Sequence, residues 1–292
     1  MKTKLMFLAI PFIVAACGSD NNKSDAYGNF EATEVLVGAE VQGKILKFNI
    51  EEGQNLVKDQ VVGTIDSLST FLRKQQLIAQ LEASMAKLTQ VQSQIEVQEE
   101  QKKTLLKEQE RSKKLVAAQA APTKQLDDIN NQLDLINKQI ISTRVQNQAI
   151  SGEIKAMKFQ ADQAQDQLTK SVIRNPINGT ILEKYIESGE IAIPGKNLYK
   201  IADLSVMKLR VYISGTQLPN IKIGQKVSVL IDKTSNENRK LEGTISWISQ
   251  QTEFTPKIIQ TKEERVNMVY AIKVNVQNDG SLKIGIPGEV KF

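Results

Sequence analysis

The apolar residues between Ser67 and Lys170 recur at steps of three and four, the period of a helix that buries one face. This stretch has one proline, almost no glycine, and many Gln, Lys, Leu and Ala residues, which are compatible with long helices. In its second half the steps alternate without a break, at Leu126, Ile129, Leu133, Ile136, Ile140, Thr143, Asn147, Ile150, Ile154, Met157, Ala161, Ala164 and Leu168. Such a sustained seam predicts a coiled-coil helix.

The first half of the stretch keeps the same phase less regularly, with polar interruptions at Gln98, Lys102 and Gln109. Its apolar positions are Leu81, Leu88, Val91, Ile95, Leu105 and Val116. Between the halves lies Pro122, which cannot sit inside a helix but suits the first turn of a new one. We therefore predict an antiparallel hairpin over residues 67–170, turning at about 117–122, with two helices of about fifty residues and a length of roughly 75 Å. A single rod kinked at Pro122 is the alternative, but it would separate the segments on either side.

Two similar phrases flank this hairpin, "VQGKILKFNIEEGQ" from Val41 and "INGTILEKYIESGE" from Ile177. Alternating apolar residues with glycines at the corners predict short strands joined by tight turns. The identical pairs are Gly43 and Gly179, Ile45 and Ile181, Leu46 and Leu182, Ile50 and Ile186, Glu51 and Glu187, Gly53 and Gly189, and Ile65 and Ile201. Each copy is too small to close a core alone. We predict that residues 32–66 and 171–203 are two halves of one β-sandwich, which the hairpin brings together.

From Leu204 onward the pattern changes to strict alternation, as in "MKLRVYIS", "KVSVLID" and "GTISWIS". This period predicts a β-domain over residues 204–292, with a short helical turn near residues 215–220 and a turn at Gly224. We predict that Trp247 packs within this domain rather than stacking on a ligand. The run Lys262–Arg265 is interpreted as a solvated face, with a contact to a partner domain as the alternative.

The N-terminal residues predict a secreted, lipid-modified protein. Lys2 and Lys4 precede an apolar run that is too short to span a bilayer, which indicates a signal peptide over residues 1–16. The junction "VAACGSDNN" resembles the bacterial lipobox, which implies that Cys17 is acylated and becomes the mature N-terminus. Two or three acyl chains, at about 0.8 kcal/mol per buried methylene, would hold the protein to a membrane. An ordinary cleaved signal with an incidental cysteine is the alternative, and the polar residues 17–31 predict a flexible tether.

The composition excludes several classes of chemistry. The chain has no histidine and one cysteine, so it lacks Ser-His-Asp and Cys-His catalytic groups and His metal sites. It shows no Gly-rich phosphate loop and no carboxylate set spaced for a metal. The formal charge of +5 includes lysines of the signal peptide, so a nucleic-acid partner is not indicated. We therefore predict a protein that is not an enzyme and holds no cofactor or metal.

The two flanking halves resemble the biotinyl/lipoyl carrier fold, whose quasi-symmetric halves carry such glycine-spaced strands. A carrier presents an acceptor lysine at the hairpin joining its halves, soon after a strand like "VVGTID". Here that place reads Ser67, Leu68 and Ser69. Because the acceptor lysine is missing, we interpret the halves as a rigid collar.

A split lipoyl-like sandwich with a helical hairpin at its tip, behind a lipoprotein signal, is similar to the HlyD family of periplasmic adaptors, or membrane fusion proteins. The phrases "IRNPINGTILEKYIESGE", "IADLSVMKLRVYIS" and "IKIGQKVSVLID" also fit that family. The resemblance implies an elongated fold of mixed α and β class. It has a long antiparallel α-helical coiled-coil hairpin inserted in a split biotinyl/lipoyl-like β-sandwich, followed by a small β-barrel.

The resemblance also implies a function and partners. It implies a non-catalytic adaptor that links an inner-membrane transporter to a TolC-like outer-membrane duct for efflux or secretion. Such a protein is a homo-oligomer, with a hexamer expected, located in the periplasm with its lipid anchor in the inner membrane. Gly18 after Cys17 would not retain a lipoprotein there under enteric-type sorting, so the outer membrane is the alternative. The phrase "EFTPKIIQTKEERVNMVYAIKV" is similar to the branch that accompanies ABC-type exporters, which favours an ABC-type over an RND-type transporter. The alternatives are a structural coiled-coil lipoprotein and, less favoured, a biotinyl/lipoyl carrier subunit.

The most specific implied site is the hairpin tip. Adaptors of this family often carry Arg, three residues, Leu, then six residues and Ser where the tip docks on the duct. Arg111 and Leu115 fit this pattern, and Pro122 occupies the serine position. A guanidinium can pair bidentately with acceptor groups on the duct, and a leucine can fill a groove between its helices. The alternative is that Arg111 is a solvated helix charge and Leu115 caps the coiled-coil seam.

Overall fold

The computed structural model describes residues 24–234, 237–253 and 269–292. Five strands precede the helices: β1 (Ala26–Glu31), β2 (Glu34–Gly38), β3 (Gly43–Phe48), β4 (Asn55–Leu56) and β5 (Val61–Ile65). The helices are α1 (Leu68–Ala117) and α2 (Thr123–Lys170). The later strands are β6 (Val172–Arg174), β7 (Gly179–Lys184), β8 (Ile191–Ala192), β9 (Asn197–Ala202), β10 (Val206–Ser214), β11 (Lys226–Thr234), β12 (Glu237–Ile248), β13 (Val269–Gln277) and β14 (Pro287–Lys291). The predicted fold class is confirmed: a helical hairpin interrupts a two-sheet β-unit, and a closed barrel follows.

The chain divides into two compact units. Leu36–Ile201 form the unit that contains the two small sheets and the hairpin. The barrel unit contains the residues that precede and follow Leu36–Ile201 in the sequence.

The two helices pack along the predicted seam. Every seam position predicted in α2 is buried or half-buried, and the most buried are Ile129, Leu133, Ile136, Ile140, Thr143, Ile150 and Ala164. The predicted positions of α1 are also shielded, and the buried residues Leu77 and Ser112 continue the same spacing. The seam of α1 is therefore regular in position, and it looked irregular because polar residues occupy several of its places.

The hairpin turn closes with a standard helix-terminating motif. The N–H of Ala120 donates to the carbonyl of Leu115 at 2.8 Å, and the N–H of Gln119 donates to the carbonyl of Val116 at 3.0 Å. This pair of bonds is a Schellman motif, and Gln119 adopts the left-handed conformation that it requires, with φ 55°. Pro122 has extended backbone angles and directly precedes the first residue of α2. The proline therefore restarts the helix in the new direction.

The two sheets of the first unit obey an approximate two-fold symmetry. The sheet orders are β2-β9-β7-β4 and β6-β5-β3-β8, so each sheet contains strands of both sequence halves. The N–H of Ile45 donates to the carbonyl of Glu190 at 2.8 Å, and the N–H of Ile181 donates to the carbonyl of Gln54 at 2.9 Å. These two bonds join equivalent residues of the aligned phrases. The shortest strand of each half thus pairs with a strand of the other half, β4 with β7 and β8 with β3. The two halves share one core.

The barrel closes in the order β1-β10-β13-β12-β11-β14. Its core includes Phe30, Met207, Leu209, Val229, Ile245, Ile272, Val274 and Val290. Residues 26–31 form β1 and pair with both β10 and β14, so the predicted tether over 17–31 is wrong for this segment, and the barrel is not confined to residues 204–292. The segment looked like a linker because glycine and polar residues separate its two inward side chains, Ala26 and Phe30.

Trp247 does not pack in the barrel core, which corrects the prediction. Its side chain is 39% exposed on the outer wall. The register of β12 against β13 shifts between Ile245 and Trp247. This bulge places an extra residue between the two, so the alternation that would have turned the ring inward is broken.

Several predictions fall outside the described residues. These are the signal peptide, the acylation of Cys17 and the solvated run Lys262–Arg265.

Candidate functional site

The last turns of α1 bring Arg111 and Leu115 to one side of the hairpin tip. The two residues are four positions apart, so they share one face of the helix. They line a shallow groove together with Thr104, Lys107, Glu108, Ser112 and Gln125. Gln125 belongs to α2, so the groove lies across both helices.

The guanidinium of Arg111 is available for a partner. Arg111 is exposed, and it forms no hydrogen bond or ion pair with any residue in the part of the chain that the structure describes. The nearby ion pair joins Lys114 to Glu110 instead, at 3.0 Å. An exposed guanidinium keeps its donors directed into solvent, where a carboxylate or carbonyl could accept two of them.

Leu115 is held outside the coiled-coil seam. Its side chain is 40% exposed, whereas the next residue, Val116, is half-buried in the seam. The carbonyl of Leu115 is fixed by the bond from Ala120 in the Schellman motif. Val116, and not Leu115, therefore occupies the seam position at this end of α1.

Pro122 does not join the other two predicted residues. It is exposed in the connection between the helices and is not among the groove-lining residues. The extended backbone of Pro122 explains how α2 starts in a new direction. Its side chain does not line the groove.

Ser112 is a groove residue that sequence reasoning missed. It is only 3% exposed, and its Oγ has no hydrogen-bond partner within the described residues. Ser112 comes three positions after Gln109, so it continues the seam spacing. Its small polar side chain gave no apolar signal.

A second, more apolar groove lies on the same side of the hairpin. It is lined by Val97, Glu100, Gln101, Thr104, Leu105, Gln132, Leu135, Ile136 and Gln139. Thr104 borders both grooves. The side that carries Arg111 and Leu115 is thus continuous with an apolar strip in which Leu135 is 58% exposed.

The base of the hairpin occupies the place where a carrier presents its lysine. Asp66 Oδ1 accepts a hydrogen bond from the N–H of Leu68 at 3.1 Å, and α1 begins at Leu68. In the described ranges, no three His, Cys, Asp or Glu side chains are grouped so that they could hold a metal ion. None of the helices described is long and apolar enough to pass through a bilayer.

Comparison with known proteins gives a consistent set of relatives. A family model described as the RND MFP barrel-sandwich hybrid domain matches residues 33–204, more than half of the chain. The UPF0194 membrane protein of Yersinia pseudotuberculosis serotype O:3 (strain YPIII) is 24% identical, over 91% of this chain and 88% of its own. Its counterpart in Yersinia enterocolitica serotype O:8 is also 24% identical, with the same coverage.

Solved structures share the fold. MacA from Actinobacillus actinomycetemcomitans has a TM-score of 0.58 and 23% identity, covering 91% of this chain and 76% of MacA. A putative efflux transporter from Bacteroides eggerthii has a TM-score of 0.52 and 13% identity, covering 91% of this chain and 67% of its own. At these identities the likeness establishes the architecture.

Proposed function

This chain belongs to the RND membrane fusion protein family through its barrel-sandwich hybrid domain, and we propose from that membership that it is the periplasmic adaptor of an efflux or secretion system. In this role it performs no chemistry. It links a transporter in the inner membrane to a TolC-like duct in the outer membrane.

The observation that supports this function best is the free tip of the hairpin. The outer faces of the long two-helix arm gain little from burial within the chain, so they are available to a partner. Here the arm ends in a groove with a half-exposed Leu115 and an Arg111 that is unpaired within the described part of the chain. An exposed arginine beside a leucine is a suitable anchor for a helical partner, because arginine supplies directional donors and leucine supplies apolar area.

The proposed docking set is Arg111, Leu115 and Pro122, with different roles. Arg111 donates to acceptors on the duct, and Leu115 fills a groove between duct helices. Pro122 shapes the turn from which both are presented, since it restarts α2 directly after the connection.

The proposed anchor is the acylated Cys17, placed in the inner membrane. It lies seven positions before Ser24, where the described residues begin. Residues 17–23 keep the proposed role of tether, while residues 26–31 belong to the barrel. The anchored chain would assemble as a hexamer, with the hybrid domains as collars around a conduit.

The proposed transporter is of the ABC type. The support is the resemblance of residues 253–274 to the branch that accompanies ABC exporters. The description of the matching family names the RND class, so the two transporter classes need a direct test. Isolation of the adaptor in mild detergent should bring down a permease with an ATP-binding subunit, and recovery of an RND permease instead would overturn the ABC proposal.

Docking at the tip is tested by crosslinking in intact cells. A photoreactive amino acid replaces Leu115 in one variant and Phe159 in the control. Phe159 is also on the hairpin and is 61% exposed, but it lies far along α2 from the tip. We expect an adduct with an outer-membrane protein from position 115 and none from position 159. The absence of any outer-membrane adduct at position 115, in a protein present at normal levels, would favour a purely structural coiled-coil lipoprotein.

A further inference from the structure

The N-terminal part of the chain enters the barrel at one of its two ends. All strand pairings in the closed barrel are antiparallel. The starts of β1, β11 and β13 and the ends of β10, β12 and β14 therefore meet at the same end. Ser24 and Asp25 lead into β1 there, and residues 215–225 connect β10 to β11 there. We call this the tether end of the barrel.

Ile223 projects from a rigid turn at the tether end. The N–H of Gln225 donates to the carbonyl of Lys222 at 3.1 Å, and Gly224 between them has a φ of 87°. The N–H of Gly224 donates to the carbonyl of Ile245 at 2.8 Å, which ties the turn to β12. The Ile223 side chain is nevertheless 65% exposed. A turn position that usually carries proline or a polar residue here presents a large apolar group.

Trp247 lies close to this turn, on the outer wall of the barrel. It is two residues beyond Ile245 on the same strand. The Nζ atom of Lys273 lies 5.3 Å from the centroid of the indole ring. An exposed tryptophan suits a membrane interface, because its ring is apolar and its N–H is polar. The lysine stem can lie along the ring while its ammonium reaches lipid headgroups.

The charges at the tether end complement an anionic surface. Lys222 and Lys226 are exposed, and neither ammonium forms an ion pair within the described ranges. Of the acidic residues described at this end, Glu253 is paired with Arg210. Asp25 accepts a hydrogen bond from the N–H of Phe292, and Glu289 accepts one from the Ser24 hydroxyl. Free lysines beside exposed apolar side chains are the combination that binds anionic bilayers.

The length of the tether limits how far this end can lie from the membrane. Cys17 is seven residues before Ser24, and seven residues span at most about 25 Å when fully extended. An acylated Cys17 therefore keeps the tether end within about 25 Å of the bilayer surface.

We infer that the tether end of the barrel rests on the membrane surface, with Ile223 and Trp247 inserted among the lipid headgroups and Lys222 and Lys226 contacting anionic lipid. The lipid anchor then acts with a protein contact, and the two together fix which end of the barrel faces the bilayer. The inference rests on the proposed acylation of Cys17 for its position near the membrane.

The contact can be measured directly, because the chain has one tryptophan and one cysteine. The chain from Cys17 onward contains every described residue. It is purified without acylation and coupled through the Cys17 thiol to maleimide-bearing lipid, in vesicles of phosphatidylcholine and phosphatidylglycerol. We expect the Trp247 emission to shift to shorter wavelength and to be quenched when the acyl chains are brominated. An emission maximum that stays unchanged, without quenching by brominated lipid, would overturn the inference.

Ile284 supplies a matched control for Ile223. It precedes Gly285, which also has a φ of 87°, in a turn of the same Lys-Ile-Gly sequence between β13 and β14, at the opposite end of the barrel. Ile284 is 41% exposed. We expect Ile223→Asp to lower the equilibrium constant for contact about tenfold or more, the loss expected when one isoleucine is no longer buried. Ile284→Asp should leave the quenching unchanged, and equal losses in both variants would contradict the assignment.

The charge contribution is tested separately by Lys222→Glu combined with Lys226→Glu. This variant should lose quenching in vesicles that contain phosphatidylglycerol and keep it in pure phosphatidylcholine. Equal quenching in both lipid compositions would overturn the contribution of the lysines.

The coupled vesicles separate the failure of this inference from the failure of the proposed anchor. Mass spectrometry of protein isolated from cells reports whether Cys17 is acylated. The chemically coupled protein reports whether the tether end binds lipid, whatever the result in cells.

Discussion

The equivalent residues Asp59 and Gly195 show how the two halves of the hybrid domain have diverged. Both have positive φ, 64° and 85°, at the same place in the two copies. Their N–H groups make equivalent bonds, to the carbonyl of Asn175 and to that of Ala39. A left-handed conformation costs a residue with a Cβ roughly 1 kcal/mol, although aspartate tolerates it better than most.

We therefore predict that Asp59→Gly raises the free energy of unfolding by about 0.5 kcal/mol, since relief of strain outweighs the larger entropy of glycine in the unfolded chain. Urea unfolding measures the change. The reverse substitution in the other copy, Gly195→Asp, should destabilise the protein. A loss of stability in Asp59→Gly would show that the aspartate side chain makes a contribution of its own.

The buried pair Asn175 and Tyr199 differs from its symmetry mates, which are Ala39 and Gly63. The Tyr199 hydroxyl donates to Asn175 Oδ1 at 3.0 Å, and both residues are fully buried. Burial raises the pKa of the Tyr199 hydroxyl above its ordinary value. The folded protein therefore keeps this proton at pH values where the unfolded chain has lost it.

This difference predicts that stability falls as the pH rises above about 10, the ordinary tyrosine pKa. Tyr199→Phe should remove that part of the pH dependence. At neutral pH it should cost about 1–3 kcal/mol, because Asn175 Oδ1 is left buried without a donor. Unfolding by urea at neutral and alkaline pH measures both effects. An unchanged alkaline slope in Tyr199→Phe would contradict the assignment.

At the scale of the elements, the hairpin seam contains polar groups that reduce its stability. Ser112 Oγ and Gln98 Oε1 are buried without partners in the described residues. Thr143 is also buried in the seam, but its hydroxyl donates to the carbonyl of Gln139 at 2.9 Å. Ser112 and Thr143 are thus both buried, but within the described residues only the Thr143 hydroxyl has a hydrogen-bond partner.

Ser112→Ala is expected to raise the free energy of unfolding by about 1 kcal/mol, because it removes an unsatisfied buried hydroxyl and adds a better helix former. Hydrogen exchange at the tip measures the local effect. Thr143→Ala serves as the control and should give no such gain. If Ser112→Ala destabilises the tip, then the Ser112 hydroxyl makes a stabilising contact, and the assignment of an unsatisfied hydroxyl is wrong.

The tip variants test the proposed docking groove. Leu115→Asp removes apolar area and adds a charge, and Arg111→Ala removes the donors, so both should lower efflux or secretion by tenfold or more, in line with an interface residue worth about 2 kcal/mol. The unfolding free energy should change little, because both side chains are exposed. Ile141→Asp and Arg73→Ala, at other exposed positions of the hairpin, are the controls and should retain activity. Full activity of both tip variants would exclude docking through this groove.

At the scale of the whole molecule, the proposed lipid anchor on Cys17 predicts where the protein is located. Cys17→Ala should release the protein from the membrane fraction, because the acyl chains supply the membrane affinity. Fractionation and intact mass measure the outcome: the unaltered protein should lack residues 1–16 and carry acyl chains. Recovery of the unaltered protein as a soluble species without added mass would reject the lipobox interpretation.

The hairpin and the duplicated half-domains were predictable because their signals are local. The seam from Leu126 to Leu168 depends on steps of three and four residues, and residues at these steps lie on one face of a helix. The pair Gly53 and Gly189 was recognised by position, and both adopt positive φ in the structure. The resemblance placed Arg111 and Leu115 at the tip. It could not predict that they share a groove with Ser112 and Gln125, because Gln125 belongs to the other helix.

The sequence by itself determined the helices, their turn and the existence of two β-rich regions, because each depends on residues close together along the chain. Only the tertiary structure decided that β1 closes the barrel, since Tyr27 pairs with Tyr212, a residue far away in the sequence. It also decided that position 63 must stay small although its counterpart is Tyr199, because a Cβ on Gly63 would lie 2.7 Å from the ring of Phe48. Trp247 was misplaced for the same reason: strand register and shared core volume are set by pairing between distant segments, and alternation along one segment does not contain that information.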